Sequence, residues 1–187
     1  PSDTYAMQAQ AKLHGFDIAD AIVEIAPKQG ADIITEDAII EKIYELGDSL
    51  ATVMIGGVNY YSGQVFDMAV ITDAAHKVGA YCGFDLAHGM GNIEVKLHEW
   101  QVDFAAWCTY KYLNGGPGSV GGLFVHENHH KRKLPILAGW WGHDKETRFK
   151  MEPEFVPMQS AEAWQMSNAP VFNMVIYLAS LEIFQKL

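Results

Sequence analysis

Positive charge is scarce in this sequence. Thirteen lysines and arginines stand against 23 aspartates and glutamates, for a formal net charge of -10. An excess of that sign repels phosphate backbones and anionic lipid, so no nucleic acid and no membrane surface are expected as partners. Cysteine is nearly absent too. Cys82 and Cys108 are too few for a disulfide framework, and a reducing, cytoplasmic setting fits them best. No apolar run is long enough to span a membrane. The start carries an acid, Asp3, and no basic region, which is not how a signal peptide begins. Internal repeats and low-complexity segments are missing, which excludes a solenoid and a compositionally biased tail.

What remains is an ordinary folded composition. The 187 residues are 49% apolar and 19% charged, enough for one domain with a real core. A helical pattern runs from Thr4 to Leu13 and closes at Gly15. Asp20 to Ile25 is ambiguous between helix and strand. A helix beginning at Thr35-Glu36-Asp37 extends to Leu46 and stops at Gly47. Leu50 to Ile55 reads as a buried strand, and Gly56 to Gly63 as turns. Phe66 to Val78 reads as a helix, stopped by Gly79. Strands are expected over Ala80 to Phe84, Val102 to Cys108 and Val120 to Val125, and an apolar helix over Pro170 to Lys186. Strands alternating with helices predict an α/β fold: a mostly parallel sheet with helices on both faces.

In such sheets ligands sit outside the carboxyl ends of the strands. Asp85 and Lys111 both fall at such ends. A lysine at the mouth of a buried strand is costly to charge, and a neutral amine is a nucleophile able to form a Schiff base with an aldehyde cofactor. A surface lysine just past a strand is the plainer alternative. Asp85, followed by His88, could hold a proton on a cofactor's ring nitrogen; an N-cap aspartate with a core histidine explains the pair equally. Asn114-Gly115-Gly116-Pro117-Gly118-Ser119 resembles a phosphate cradle or a tight turn. His126, His129 and His130 lack the spacing of a helical metal-ligand pair, and a polar loop accounts for them, so no metal is expected.

Taken together, several segments resemble one family. Pro1-Ser2-Asp3, Gly57-Val58-Asn59-Tyr60-Tyr61-Ser62-Gly63-Gln64, Gly83-Phe84-Asp85-Leu86-Ala87-His88 and Thr109-Tyr110-Lys111-Tyr112-Leu113-Asn114 stand in the order found in kynureninases. So do Ala138-Gly139-Trp140-Trp141-Gly142-His143, Thr147-Arg148-Phe149-Lys150-Met151 and Ser167-Asn168. The resemblance implies a fold-type-I enzyme dependent on pyridoxal 5'-phosphate. It further implies a homodimer that hydrolyses L-kynurenine or 3-hydroxykynurenine in tryptophan breakdown. It also implies that residues 1–187 are the large, cofactor-binding domain, a piece lacking an N-terminal segment and a C-terminal small domain.

Carried over residue by residue, Lys111 is the attachment lysine, Asp85 pairs with the ring nitrogen and His88 lies beside the ring. Tyr110 reaches the phosphate and relays protons. Pro1, Ser2 and Asp3 end a cofactor-binding segment. Trp140 and Asn168 match further cofactor contacts, serving a neighbouring subunit. Ser167 and Asn168 fall where substrate is selected. Gly56 stands where some relatives carry serine.

Overall fold

The computed structural model describes residues 2–186. The described residues form five α-helices and four strands, four of the helices and all the strands within the first two thirds of the chain. These are α1 (Ser2–Leu13), α2 (Ile18–Ala21), α3 (Glu36–Leu46), β1 (Thr52–Gly56), α4 (Met68–Lys77), β2 (Tyr81–Asp85), β3 (Phe104–Cys108), β4 (Gly121–Val125) and α5 (Val171–Phe184). The sheet has the order β1-β2-β3-β4. β1, β2 and β3 run parallel, and β4 returns antiparallel to β3, with Cys108 opposite Gly121. The mostly parallel α/β sheet expected from the sequence is thus present, with one antiparallel edge. The glycine-rich return between them, residues 109–120, forms no helix, whereas a parallel neighbour is usually reached through one.

Local signals explain the helix boundaries. Thr35 caps α3 by accepting the Ala38 N–H, and Asp67 caps α4 by accepting the Val70 N–H. Gly79, at φ 83°, carries the chain out of α4 in a conformation that favours glycine. The ambiguous stretch resolves into the single turn α2, capped by Asp17, followed by chain without regular structure.

α4 lies on β2 and α3 on α4. Between them sits the core: Ile39, Ile43, Ile71 and Ala75 from the helices, and Val53, Cys82, Phe84 and Ala105 from the strands. On the other face Phe104 crosses Gly83, where an added Cβ would come within 2.1 Å of the ring. Ala106 is exposed on that face, and so is Leu123. α5 buries none of its residues, and its Ser180 hydroxyl donates to the Leu113 carbonyl at 2.7 Å. No helix among the described residues is long and apolar enough to cross a membrane.

A buried charge cluster closes the rim where the parallel strands begin. Asp103 is 7% exposed. Its carboxylate meets His129 Nε2 at 2.6 Å and His76 Nε2 at 2.8 Å, and accepts the Cys82 N–H at 2.7 Å. Burial alone would raise its pKa. The Cys82 N–H and the two imidazoles outweigh that and hold the carboxyl below its ordinary value of 3.8. A folded-state pKa below the unfolded one stabilises the fold fully above the ordinary aspartate value. That contribution is lost as pH falls through the lower, folded value. Asp103→Asn is therefore expected to destabilise the protein by about 3 kcal/mol at neutral pH. The deficit should shrink in acid, where the wild type loses the same contribution. Denaturant melts at pH 7 and pH 3 check this, and an equal deficit at both would remove the charge from the explanation.

Candidate active site

At the opposite rim, where the parallel strands end, a cavity of about 610 Å³ opens. β2 ends in Asp85, and the turn after β3 presents Lys111, so the two unlike charges share this rim as strand order requires. The Asp85 carboxylate accepts the Ala87 N–H at 2.7 Å, which fixes its rotamer. Lys111 Nζ lies 2.8 Å from His88 Nε2. No carboxylate lies within ion-pair distance of Lys111 among the described residues. The lysine amine and the imidazole thus share one hydrogen bond, a contact through which a proton can pass.

Ser2 and Asp3 complete one wall. Asp3 stands on an exposed helix, and its carboxyl lines the cavity together with that of Asp85. Burial of that carboxyl, then the charge of Asp85 and a hydrogen bond to it, push Asp3 above its ordinary value. The neighbouring charge of Asp85 adds to the cost of ionising Asp3. A pair of this kind suits a cationic ring nitrogen, and an amine nucleophile a few ångströms along the same rim suits a carbonyl group.

Tyr110 is 54% exposed and lines the same cavity. The Cys108 side chain, through its hydrogen bond and charge, pushes the phenol above its ordinary value, with smaller contributions from burial and Asp85. The structure therefore gathers Ser2, Asp3, Asp85, His88, Tyr110 and Lys111 at one place. Pro1 lies outside the described residues.

Trp140, Ser167 and Asn168 are not in that cavity. They stand together elsewhere, because Gly139 packs directly on the Met166 backbone, where a Cβ would come within 2.2 Å of the carbonyl oxygen. Arg148 organises this segment. Its guanidinium stacks 4.7 Å from the Trp141 ring and donates to the carbonyls of Trp141 and His143. Ser167 and Asn168 contact one another at 3.3 Å and face outward.

Among the wall residues that reading the sequence alone missed are Tyr60 and Cys108. Tyr60 lies within the glycine-bounded stretch already singled out, and its ring centre is 6.3 Å from that of His88. Cys108 is the last residue of β3 and faces the cavity. The histidines at 126, 129 and 130 go separate ways. His126 stacks on His98, His129 binds Asp103, and His130 meets the Val125 carbonyl.

Comparison with known proteins agrees with this architecture. The family model for class-V aminotransferases matches residues 4–149. The chain is 55% identical to the kynureninase of Christiangramia forsetii over 187 residues, which is 100% of this chain and 44% of that protein. It is 57% identical over 185 residues to that of Flavobacterium psychrophilum, covering 98% of this chain and 44% of that protein. The kynureninase of Yarrowia lipolytica is 50% identical over 186 residues, 100% of this chain and 43% of that protein. The chain thus spans less than half the length of these relatives. Among solved structures, a cysteine desulfurase from Thermococcus onnurineus superposes with a TM-score of 0.75 at 18% identity, over 99% of this chain and 43% of that one. The cystine C-S lyase C-DES gives 0.69 at 21% identity, over 83% and 41%. At those identities the likeness speaks for the fold alone. Sheet, strand-end cavity and family match lead to one conclusion: the chain belongs to the class-V aminotransferase family.

Proposed function

We propose that these residues are the cofactor-binding part of a kynureninase, which hydrolyses L-kynurenine or its 3-hydroxy form to the corresponding anthranilate and L-alanine. The observation that carries the reading is identity of 50–57% to proteins of that name across essentially the whole chain. The donor set fits pyridoxal 5'-phosphate. Lys111 supplies the amine that attaches it, Asp85 with Asp3 receives its ring nitrogen, and His88 and Tyr60 offer rings beside it. When bound, that cofactor supplies an electron sink for a carbanion at the substrate's α-carbon.

The protein's own groups do the rest. Lys111 would take the α-proton, and the 2.8 Å contact with His88 would give that proton a second resting place. Asp85 keeps the proton on the ring nitrogen. Tyr110, with its phenol pushed up, stays protonated at neutral pH and serves as a donor to the phosphate or to the leaving carbon. Trp140, Ser167 and Asn168 lie outside this cavity but side by side, an arrangement that suits service to the neighbouring subunit of a homodimer, with Ser167 and Asn168 selecting the substrate. A cytoplasmic location fits two free thiols.

Desulfurase chemistry in the same fold would need a nucleophilic thiol. Cys82 is fully buried, and burial above all pushes its thiol up to about 12, while Cys108, although in the cavity wall, is held at the end of β3 with its thiol 3.8 Å from the Ala87 carbonyl rather than on a loop that could carry it to a substrate. The test is the full-length protein with pyridoxal phosphate and L-kynurenine, followed by anthranilate fluorescence. Cofactor-dependent anthranilate release is expected. Binding of the cofactor with no such release, while an amino group is transferred or sulfur is removed from cysteine, would overturn the assignment.

A further inference from the structure

We infer that Thr109 is a positioning residue, the clasp that sets Lys111 in place; this rests on the reading of the cavity given above. β3 and β4 stay paired as far as Cys108 and Gly121. Beyond that pair no ladder bond supports the chain, yet Lys111 sits three residues past it. Something else must fix the backbone that carries the amine.

Thr109 does so from both ends. It is 1% exposed, while Tyr110 beside it points out. Its Oγ1 lies 2.5 Å from the Val120 carbonyl oxygen and 2.6 Å from Ser119 Oγ. A carbonyl oxygen only accepts, so the Thr109 hydroxyl donates to Val120, and the Ser119 hydroxyl donates to Thr109. The order of the chain is therefore Ser119 to Thr109 to Val120. Meanwhile the Thr109 carbonyl accepts the Gly115 N–H at 2.8 Å, and the Lys111 carbonyl accepts the Asn114 N–H at 3.0 Å. One residue thus ties the exit of β3 to the middle of the loop and to the entry of β4.

The loop has little rigidity of its own. Asn114, Gly116 and Gly118 occupy the left-handed region at φ 54°, 78° and 76°, which glycine adopts with the least steric cost. Gly115 leaves no room for a side chain, since a Cβ would come 2.9 Å from Ser119 Oγ and 3.1 Å from the Thr109 carbonyl. Without the clasp, Lys111 would be carried by a run of turns free to shift, and the His88 contact would no longer be fixed. Thr109 touches neither the cavity nor its contents, so its effect passes entirely through the position of Lys111.

The experiment uses the full-length protein loaded with pyridoxal phosphate. Thr109→Val keeps the shape and removes the hydroxyl, and Thr109→Ser restores it. For Thr109→Val, kcat is expected to fall roughly 100-fold with KM within about threefold, the cost of a misplaced catalytic group. Borohydride trapping of cofactor on Lys111, read by peptide mass spectrometry, should fall in parallel, and the pH midpoint of the bound cofactor's visible absorbance should move. Thr109→Ser should recover all three. Wild-type trapping, kcat and absorbance midpoint in Thr109→Val would overturn the clasp. So would a Thr109→Ser variant as impaired as Thr109→Val. Should Thr109→Val not fold, Ser119→Ala carries the test: it removes only the outer donor and should lower kcat about tenfold, and an unchanged kcat and trapping yield there would overturn the proposal. Absence of trapping on Lys111 in the wild type itself would instead sink the reading of the cavity, and the clasp with it.

Discussion

Lys111→Ala in the full-length protein is expected to abolish covalent attachment of pyridoxal phosphate and to leave the fold standing. The first half follows from position. Lys111 is the lysine that lines the cavity, and its amine is held by an imidazole rather than by a carboxylate, so little has to be broken before it reacts. The second half follows from what the side chain does not touch. Lys111 is half-exposed, and none of the core residues between α4 and the sheet depends on it. Truncating such a side chain changes stability by about 0.5 kcal/mol or less. Turnover should fall by at least about 1,000-fold, since the proposed attachment point and the proposed base are both removed. Borohydride reduction and peptide mass spectrometry of the wild type locate the label. A pyridoxyl group on Lys131 or Lys133 would end the assignment, and so would a labelled Lys111→Ala protein.

Asp85→Ala is expected to lose far more activity than Asp85→Glu. A ring-nitrogen cation left without its carboxylate in a sheltered site costs roughly 3–5 kcal/mol, which is on the order of 100- to 4,000-fold in rate. The alanine variant also strips the Ala87 N–H of its acceptor. Asp85→Asn separates the two effects, because it can still accept from Ala87 but carries no charge. It should behave like the alanine variant in turnover and like the wild type in thermal stability. Asp3 sets a floor on the damage. Its pKa is held up in part by Asp85, so with Asp85 gone it ionises more readily and partly replaces the lost charge. Near-normal turnover and cofactor affinity in Asp85→Ala would contradict the pairing with the ring nitrogen. Additivity in an Asp3→Asn/Asp85→Ala double variant would contradict the coupling of the two acids.

Much of this was legible without coordinates. β-branched and apolar runs marked β1, β2 and β3 to within about two residues. Alternation with helices implied a sheet whose strand ends would collect Asp85 and Lys111. Those are local signals: side-chain shape sets strand preference, a capping oxygen satisfies free N–H groups, and glycine relieves the strain of a positive φ. The motif at Pro1-Ser2-Asp3 also pointed to the site, although nothing in its spacing said that Asp3 would face Asp85.

What the sequence could not supply was every contact whose partners lie far apart along the chain. His88 and Lys111 are 23 residues apart, Asp103 and His129 are 26 apart, and Ser180 reaches Leu113 over 67. Such contacts depend on strand order and register, which many sequences of the same local pattern would satisfy differently. The reversal of β4 is of this kind, and so is the separation of Trp140, Ser167 and Asn168 from the cavity. Thr109 shows the division most plainly. By sequence it is one more β-branched residue at a strand end. Only the return of β4 beside β3 puts Ser119 and Val120 within reach of its hydroxyl, and burial then makes that bond costly to lose, because water cannot replace it.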